Sequence, residues 1–206
     1  MLLKLSDAKA FSEAVSIMSE LVTEVRIKVS KNGMSTVAVD PANVALVSLK
    51  LPNTSFSHFD GDEEEICVNL EDLKQILKRV SPGSTLILEK KENKLSIQLQ
   101  DGVKRNFTLA LINIESEEKQ VPTLDFQTKV LLPSNLFQHA IEDAAIVSDS
   151  CTFVTKDDSF SIEAKGNLNS SQTEFNSAEA KFTGQGKSKY SLEYLQKFVR
   201  ACKLSD

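Results

Sequence analysis

Tryptophan is absent from this chain, and its 206 residues hold only two histidines, three cysteines and seven glycines. These scarcities exclude whole classes of chemistry. His58 and His139 have no Cys and no second His nearby, so neither begins a metal site. Cys67, Cys151 and Cys202 are odd in number and far apart, which argues against a disulfide framework and leaves each as a small buried hydrophobe. No apolar run is long enough to span a bilayer. The opening MLLKLSDAKAF lacks the apolar stretch of a secretion signal, so the expected setting is intracellular, in cytoplasm or nucleoid, with no membrane partner.

Motifs that suggest chemistry fail on inspection. GQGKS (184–188) resembles the end of a phosphate loop, but the glycine required five residues before Gly186 is replaced by Lys181. It reads as a polar loop. DGDEEE (60–65) has carboxylates without the internal glycine and closing Glu of a calcium loop, and reads as a solvated acidic turn. No nucleophile stands in a pattern with a base. The chain is therefore expected to be no enzyme, with no catalytic residue, no cofactor and no metal.

What the chain does have is a 41% hydrophobic content, enough for a real core. Its length suits one large domain or two of about 100 residues each. MLLKL suits a short strand. Residues 6–22 carry Phe11, Ala14, Val15, Met18, Leu21 and Val22 on one helical stripe, with Ser6 as the expected cap. Val25, Ile27 and Val29 alternate with Arg26 and Lys28, as in a strand with one wet face. Asn32-Gly33 predicts a hairpin with positive φ at both turn positions. STVAV, VALVSLKL and EEICV extend the sheet, and NLEDLKQILKRV (69–80) predicts a helix capped by Asn69. STLILEK, KLSIQLQ, an Asp101-Gly102 turn and KRNFTLALINI follow.

The segment from residue 115 is polar, aperiodic and broken by proline, and reads as a linker. The pattern then restarts. KVLL predicts a strand, PSNLFQHAIEDAAIVSD a helix, CTFVTKDDSFSIEA a hairpin, SQTEF and AKFTG strands, and SLEYLQKFVRAC a second basic helix. Phe137, Ala140 and Ile141 stand 126 positions after Phe11, Ala14 and Val15, while Leu192, Leu195, Phe198 and Val199 stand 122 positions after Leu70, Leu73, Ile76 and Leu77. Two helices repeating in order at nearly one spacing indicate an internal duplication. The expected boundaries are a first domain at 1–114, a linker at 115–127 and a second domain at 128–206. The second copy stops soon after its basic helix, so it is expected to be incomplete by about three strands.

Charge follows the same repeat. The net charge is −5, yet Lys74, Lys78 and Arg79 gather on the first basic helix, and Lys197, Arg200 and Lys203 on or just after the second. Acids early and cations late also suit the helix dipole, worth a few tenths of a kcal/mol each. Duplication gives the arrangement a second reading. Equivalent cationic helices on equivalent domains, with acids concentrated at 60–65 and 115–118, favour a polyanion bound through its phosphates without regard to base sequence.

The segments TVAVDPANVALVSLKLP (36–52), LEDLKQILKRV, the Val-Pro near 121 and KYSLEYLQKFVRACKLSD (189–206) together resemble the PCNA-type DNA sliding clamps, most closely those of archaea. That resemblance implies an α+β fold, the DNA clamp fold: two similar domains of antiparallel β-sheet with two helices each, forming a ring. It implies three subunits closing head to tail around duplex DNA, with helices lining the hole, as a polymerase processivity factor in replication and repair. A clamp-fold scaffold never loaded on DNA is the alternative, suggested by His139 and Glu142 on the helix at 133–149, where cations would be expected. Carried across, Lys9, Lys74, Lys78, Arg79, Lys197, Arg200 and Lys203 become DNA-facing cations. Asn43, Val44 and Leu46, with Val121, Pro122 and Phe126, become the pocket that takes short peptide motifs of DNA polymerase, clamp loader and other partners. Ring closure would pair a strand at about 105–113 (Asn106, Thr108, Ala110, Ile112) with a neighbour's strand at about 169–176 (Ser171, Thr173, Phe175).

Overall fold

Strand, helix, four strands, then a strand running straight into a second helix: this order occurs twice. The computed structural model describes residues 1–204; Ser205 and Asp206, which close the KLSD end of the quoted segment, lie outside the described residues. The chain divides into two compact units, Met1–Pro122 and Thr123–Asp206.

The first unit runs β1 (Leu2–Leu5), α1 (Lys9–Met18), β2 (Glu24–Ser30), β3 (Gly33–Val39), β4 (Leu46–Pro52), β5 (His58–Asp60), β6 (Glu64–Asn69), α2 (Leu70–Leu77), β7 (Thr85–Lys91), β8 (Lys94–Gln100) and β9 (Lys104–Ala110). Its strands form two antiparallel sheets, ordered β4-β3-β2-β6 and β5-β1-β7-β8-β9. The second unit runs β10 (Lys129–Leu131), α3 (Ser134–Val147), β11 (Ser150–Thr155), β12 (Phe160–Lys165), β13 (Ser170–Phe175), β14 (Lys181–Thr183), β15 (Gly186–Ser191) and α4 (Leu192–Phe198), with a 3-10 turn over Val199–Leu204. Its sheets are ordered β13-β12-β11-β15 and β10-β14. The four-stranded sheets of the two units have the same connectivity, so the α+β, duplicated architecture expected from the sequence is the observed one.

Alternation writes the first core. Val25, Ile27 and Val29 on β2 and Ile66 and Val68 on β6 are buried, as are Leu86 and Leu88 on β7 and Leu95, Ile97 and Leu99 on β8. The stripe Phe11, Ala14, Val15 and Met18 of α1 joins them, with Leu70, Leu73 and Leu77 of α2. Each such Leu stabilises by about 2 kcal/mol. In the second unit Ala140, Ile141 and Ala144 of α3 pack on Cys151, Phe160, Ile162 and Phe175 with Leu192 and Leu195 of α4. Burial pushes the Cys151 thiol up to about 11, so it stays neutral and inert.

Local details depart from expectation in instructive ways. Helix α1 spans only Lys9–Met18, and Asp7 rather than Ser6 serves its N-terminus, Oδ1 accepting from the Lys9 N–H at 2.9 Å. Asn69 does cap α2, accepting from the N–H groups of Glu71 and Asp72 at 2.9 and 3.3 Å. In the β2–β3 hairpin Ser30 pairs with Gly33, so the turn residues are Lys31 and Asn32, and only Gly33 of the Asn32-Gly33 step has positive φ, at 133°. A Cβ there would lie 2.2 Å from the Leu51 carbonyl oxygen, which excludes any other residue without distortion. GQGKS is only partly a loop: Gly184 and Gln185 connect β14 to β15, while Gly186–Ser191 is β15, paired with β11.

The β8–β9 turn is tied down by charge. Asp101 accepts from the Ser84 hydroxyl at 3.2 Å and is ion-paired with Arg105. Desolvation opposes its ionisation, but the Ser84 hydrogen bond and the Arg105 guanidinium outweigh it and hold the carboxyl below its ordinary value of 3.8. A depressed folded-state pKa stabilises above the unfolded value and is lost as pH falls through the folded one. Asp101→Asn should therefore lower the thermal midpoint at pH 7, and the gap from wild type should close below pH 3.8. A gap that stays constant in melts recorded down that range would refute the assignment.

Candidate nucleic-acid and partner surfaces

Helix α2 is short because its apolar face runs out. Leu70, Leu73 and Leu77 are buried, the helix ends at Leu77, and Lys78 and Arg79 stand exposed in the closing turn. Among the described residues neither is in an ion pair. Cations at this end suit the helix dipole and remain available to an anion.

Lys74 behaves differently. It was expected to point outward with Lys78, but its side chain is only 14% exposed and lies between Glu20 at 3.7 Å and Glu71 at 3.4 Å. Glu71 was visible at helical spacing. Glu20, far away in the sequence, was not. Lys74 is thus a largely neutralised, structural cation.

Helix α4 repeats the pattern. Leu192, Leu195 and Val199 are buried, whereas Phe198, expected on the apolar face, is 37% exposed. Phe198 closes α4, and the backbone tightens to 3-10 from Val199. Lys197 pairs with Glu193 at 3.2 Å and lies over the Tyr194 ring at 5.4 Å. Arg200 and Lys203 are exposed on the 3-10 turn, and Lys9 is exposed at the start of α1. Helix α3 presents His139, Glu142 and Asp143 to solvent instead of cations.

The loop between β3 and β4 is built by one buried carboxylate. Asp40 Oδ1 accepts from the Val44 and Ala45 N–H groups, each at 2.7 Å, and Oδ2 accepts from Ala42 at 3.1 Å. Ala45 is buried beneath, and Asn43 takes a left-handed φ of 55°. The result is a rigid loop holding Val44 66% and Leu46 37% exposed. Neither is a core residue. Nothing in the sequence around Asp40-Pro41 signals this scaffolding role.

Residues 114–118 are strapped to the outer face of β2. Arg26 Nη2 donates to the carbonyls of Ile114 at 2.6 Å and Ser116 at 3.1 Å, and Lys28 pairs with Glu118 at 2.5 Å. A cleft of about 150 Å³ lies there, lined by Arg26, Lys28, Ser35, Val37 and Lys119 among others. Val121 is 53% exposed and Pro122 exposed in the first unit; in the second, Phe126 is 60% exposed, as is Leu124, which the sequence reading passed over.

Among the described residues β9 borders only β8, and β13 only β12. Asn106, Thr108 and Ala110 lie on β9, but the strand ends at Ala110, and the Ile112 N–H is already committed to the Cys67 carbonyl at 3.0 Å. Ile112 is off the edge. On β13, Phe175 is 4% exposed and belongs to the core, while Ser171 and Thr173 share its inner face half-buried. Any pairing there uses the β13 backbone, not the Phe175 side chain.

Among the described residues no group of three or more His, Cys, Asp or Glu could hold a metal, and no helix is long and apolar enough to cross a membrane.

A duplicated pair of antiparallel sheets, each carrying two helices and free edge strands, defines the class of DNA-clamp folds. Residues 1–120 match the family described as Proliferating cell nuclear antigen, N-terminal domain, and the chain belongs to that family. It is 35% identical over 206 residues to the DNA polymerase sliding clamp of Thermococcus fumicolans, covering 97% of this chain and 83% of that one. It is 40% identical over 164 residues to that of Thermococcus gammatolerans, where the match covers 79% of this chain and 66% of the relative. Among solved structures, PCNA from Thermococcus kodakaraensis superposes with a TM-score of 0.91 at 26% identity, over 97% of this chain and 85% of that one. The PCNA2–PCNA3 complex from Sulfolobus tokodaii gives 0.89 at 27%, over 100% and 87%.

The Asp40 scaffold yields its own test. Asp40→Ala leaves the Val44 and Ala45 N–H groups without their acceptor and should cost about 2 kcal/mol. Amide exchange should accelerate at residues 42–45 and leave β8 and β9 unchanged; unchanged exchange at Val44 and Ala45 would remove Asp40 from the role.

Proposed function

We propose that this chain serves as a DNA polymerase processivity factor, a sliding clamp that encircles duplex DNA and tethers replication and repair proteins to it. Membership of the sliding-clamp family supports that reading over a scaffold that never meets DNA. One observation carries the DNA contact: both halves of the duplication end their second helix with exposed cations, Lys78 and Arg79 in one, Arg200 and Lys203 in the other. With Lys9, these side chains meet phosphate oxygens, a contact blind to base identity and weakened by salt. Lys74 and Lys197, already paired with carboxylates, contribute position rather than free charge.

The free edges of β9 and β13 support closure into a trimeric ring by antiparallel strand addition between subunits. Val44 and Leu46, and further along the chain Val121, Pro122 and Phe126, are exposed apolar residues of the kind that short partner peptides cover. A topological link needs little affinity at each contact, so weak phosphate contacts suffice. The work is intracellular, on DNA, and involves no bond making or breaking.

The test is retention on closed circular duplex. The purified chain, loaded on a nicked circle that is then ligated, should stay bound and fall off when the circle is cut. Lys78→Gln with Arg79→Gln should flatten the salt dependence of DNA association by about one unit of log–log slope per cation removed. Lys74→Gln should lower stability instead, with a much smaller effect on slope. Equal retention on linear and circular DNA, or a slope indifferent to Lys78 and Arg79, overturns the reading.

A further inference from the structure

We propose that Arg26 is a positioning residue for the linker. With Lys28 it latches residues 114–118 onto the outer face of β2, and so fixes how Val121 and Pro122 are presented to partner peptides. This role for Arg26 rests on Val121 and Pro122 belonging to a partner surface.

Alternation along β2 sends Val25, Ile27 and Val29 into the core and leaves Arg26 and Lys28 on the opposite face. That face is not bare. After β9 the chain passes β6 and crosses β2, with anchors at every second residue, the period of an extended chain. The Ile112 N–H donates to the Cys67 carbonyl at 3.0 Å. Arg26 Nη2 donates to the carbonyls of Ile114 and Ser116 at 2.6 and 3.1 Å, and Lys28 Nζ to the Glu118 carboxylate at 2.5 Å. Cys67 and Arg26 are opposite each other across β6 and β2, so their anchors are neighbours. All of these contacts lie within the first unit.

A guanidinium suits the task. Its planar fork can serve two carbonyls at once, which the point charge of a lysine reproduces poorly. The Arg26 side chain is only 20% exposed, with Glu65 at 3.5 Å from Nε, so water competes weakly for its hydrogen bonds. Nε itself is buried and makes no hydrogen bond among the described residues. The Lys28–Glu118 pair is more exposed, at 42% and 46%, and adds less. Val121 stands three residues past the last anchor, Glu118. With the latch released it stands nine past Ile112. Its reach then grows from about 10 to about 16 Å, and the volume it explores by about fivefold.

Tryptophan is absent from the chain, so Gln120→Trp supplies a single fluorescent reporter on the linker. In that background Arg26→Gln with Lys28→Gln should about double the amplitude of the nanosecond anisotropy decay. Lys28→Gln alone should change it little, and Arg26→Lys should fall between. A fluorescein-labelled decapeptide with two adjacent Phe residues, titrated into the full chain, should bind the double variant about fivefold more weakly than wild type. Amide exchange at Leu95, Ile97 and Leu99 of β8 should match wild type. An unchanged decay, the full effect from Lys28→Gln alone, or faster exchange in β8 overturns the latch. A freed reporter with unaltered peptide affinity overturns the positioning role alone. A wild-type chain that ignores millimolar peptide removes the partner surface itself, and the proposal with it.

Discussion

The outermost strand of a sheet presents a row of N–H and C=O groups that water satisfies less specifically than another strand would. Much of this chain is organised by which edges are filled and which are left open. In the first unit β7 and β8 complete the sheet started by β1, and the core between the two sheets closes to single-digit exposures. The edge passes outward to β9. In the second unit β10 is a short strand with one neighbour, β14, among the described residues.

Charge is arranged as economically. The chain is acidic overall, and ion pairs among the described residues gather in the first ninety-one positions, most of them partly exposed and individually weak. What they do collectively is select which cations stay available. Lys74 and Lys197 are taken up by carboxylates one turn or one helix away. Among the described residues, Lys78, Arg79 and Lys203, beyond the last α-helical turn, are in no ion pair. The helix end, where backbone carbonyls already favour positive charge, is where cations also remain free to meet a phosphate.

Much of this was legible along the chain. Period-two alternation located β2, β6, β7 and β8, the 3.6 periodicity located α1 and α2, and the repeat of Phe11-Ala14-Val15 in Phe137-Ala140-Ile141 exposed the duplication. Those signals are local, and they depend on burying one face of a regular element. The misreadings occurred where local and distant forces compete. GQGKS has the glycines of a loop, yet from Gly186 on β11 offers it a ladder partner. Phe198 fits the helical stripe and is still 37% exposed at the last position of α4. Phe175 lies on an edge strand and still points into the core, because pleating alternates faces whatever the edge does.

The candidate surfaces divide along the same line. Sequence alone determined that cations cluster at the second helix of each repeat and that both repeats are antiparallel sheets with helices. Only tertiary structure decided that Glu20 silences Lys74, that Asp40 holds Val44 and Leu46 out to solvent, and that Ile112 is spent on Cys67. Periodicity records which face of an element is apolar. It does not record which distant carboxylate, amide or strand arrives against that face, since those contacts join residues that only the folded chain brings together.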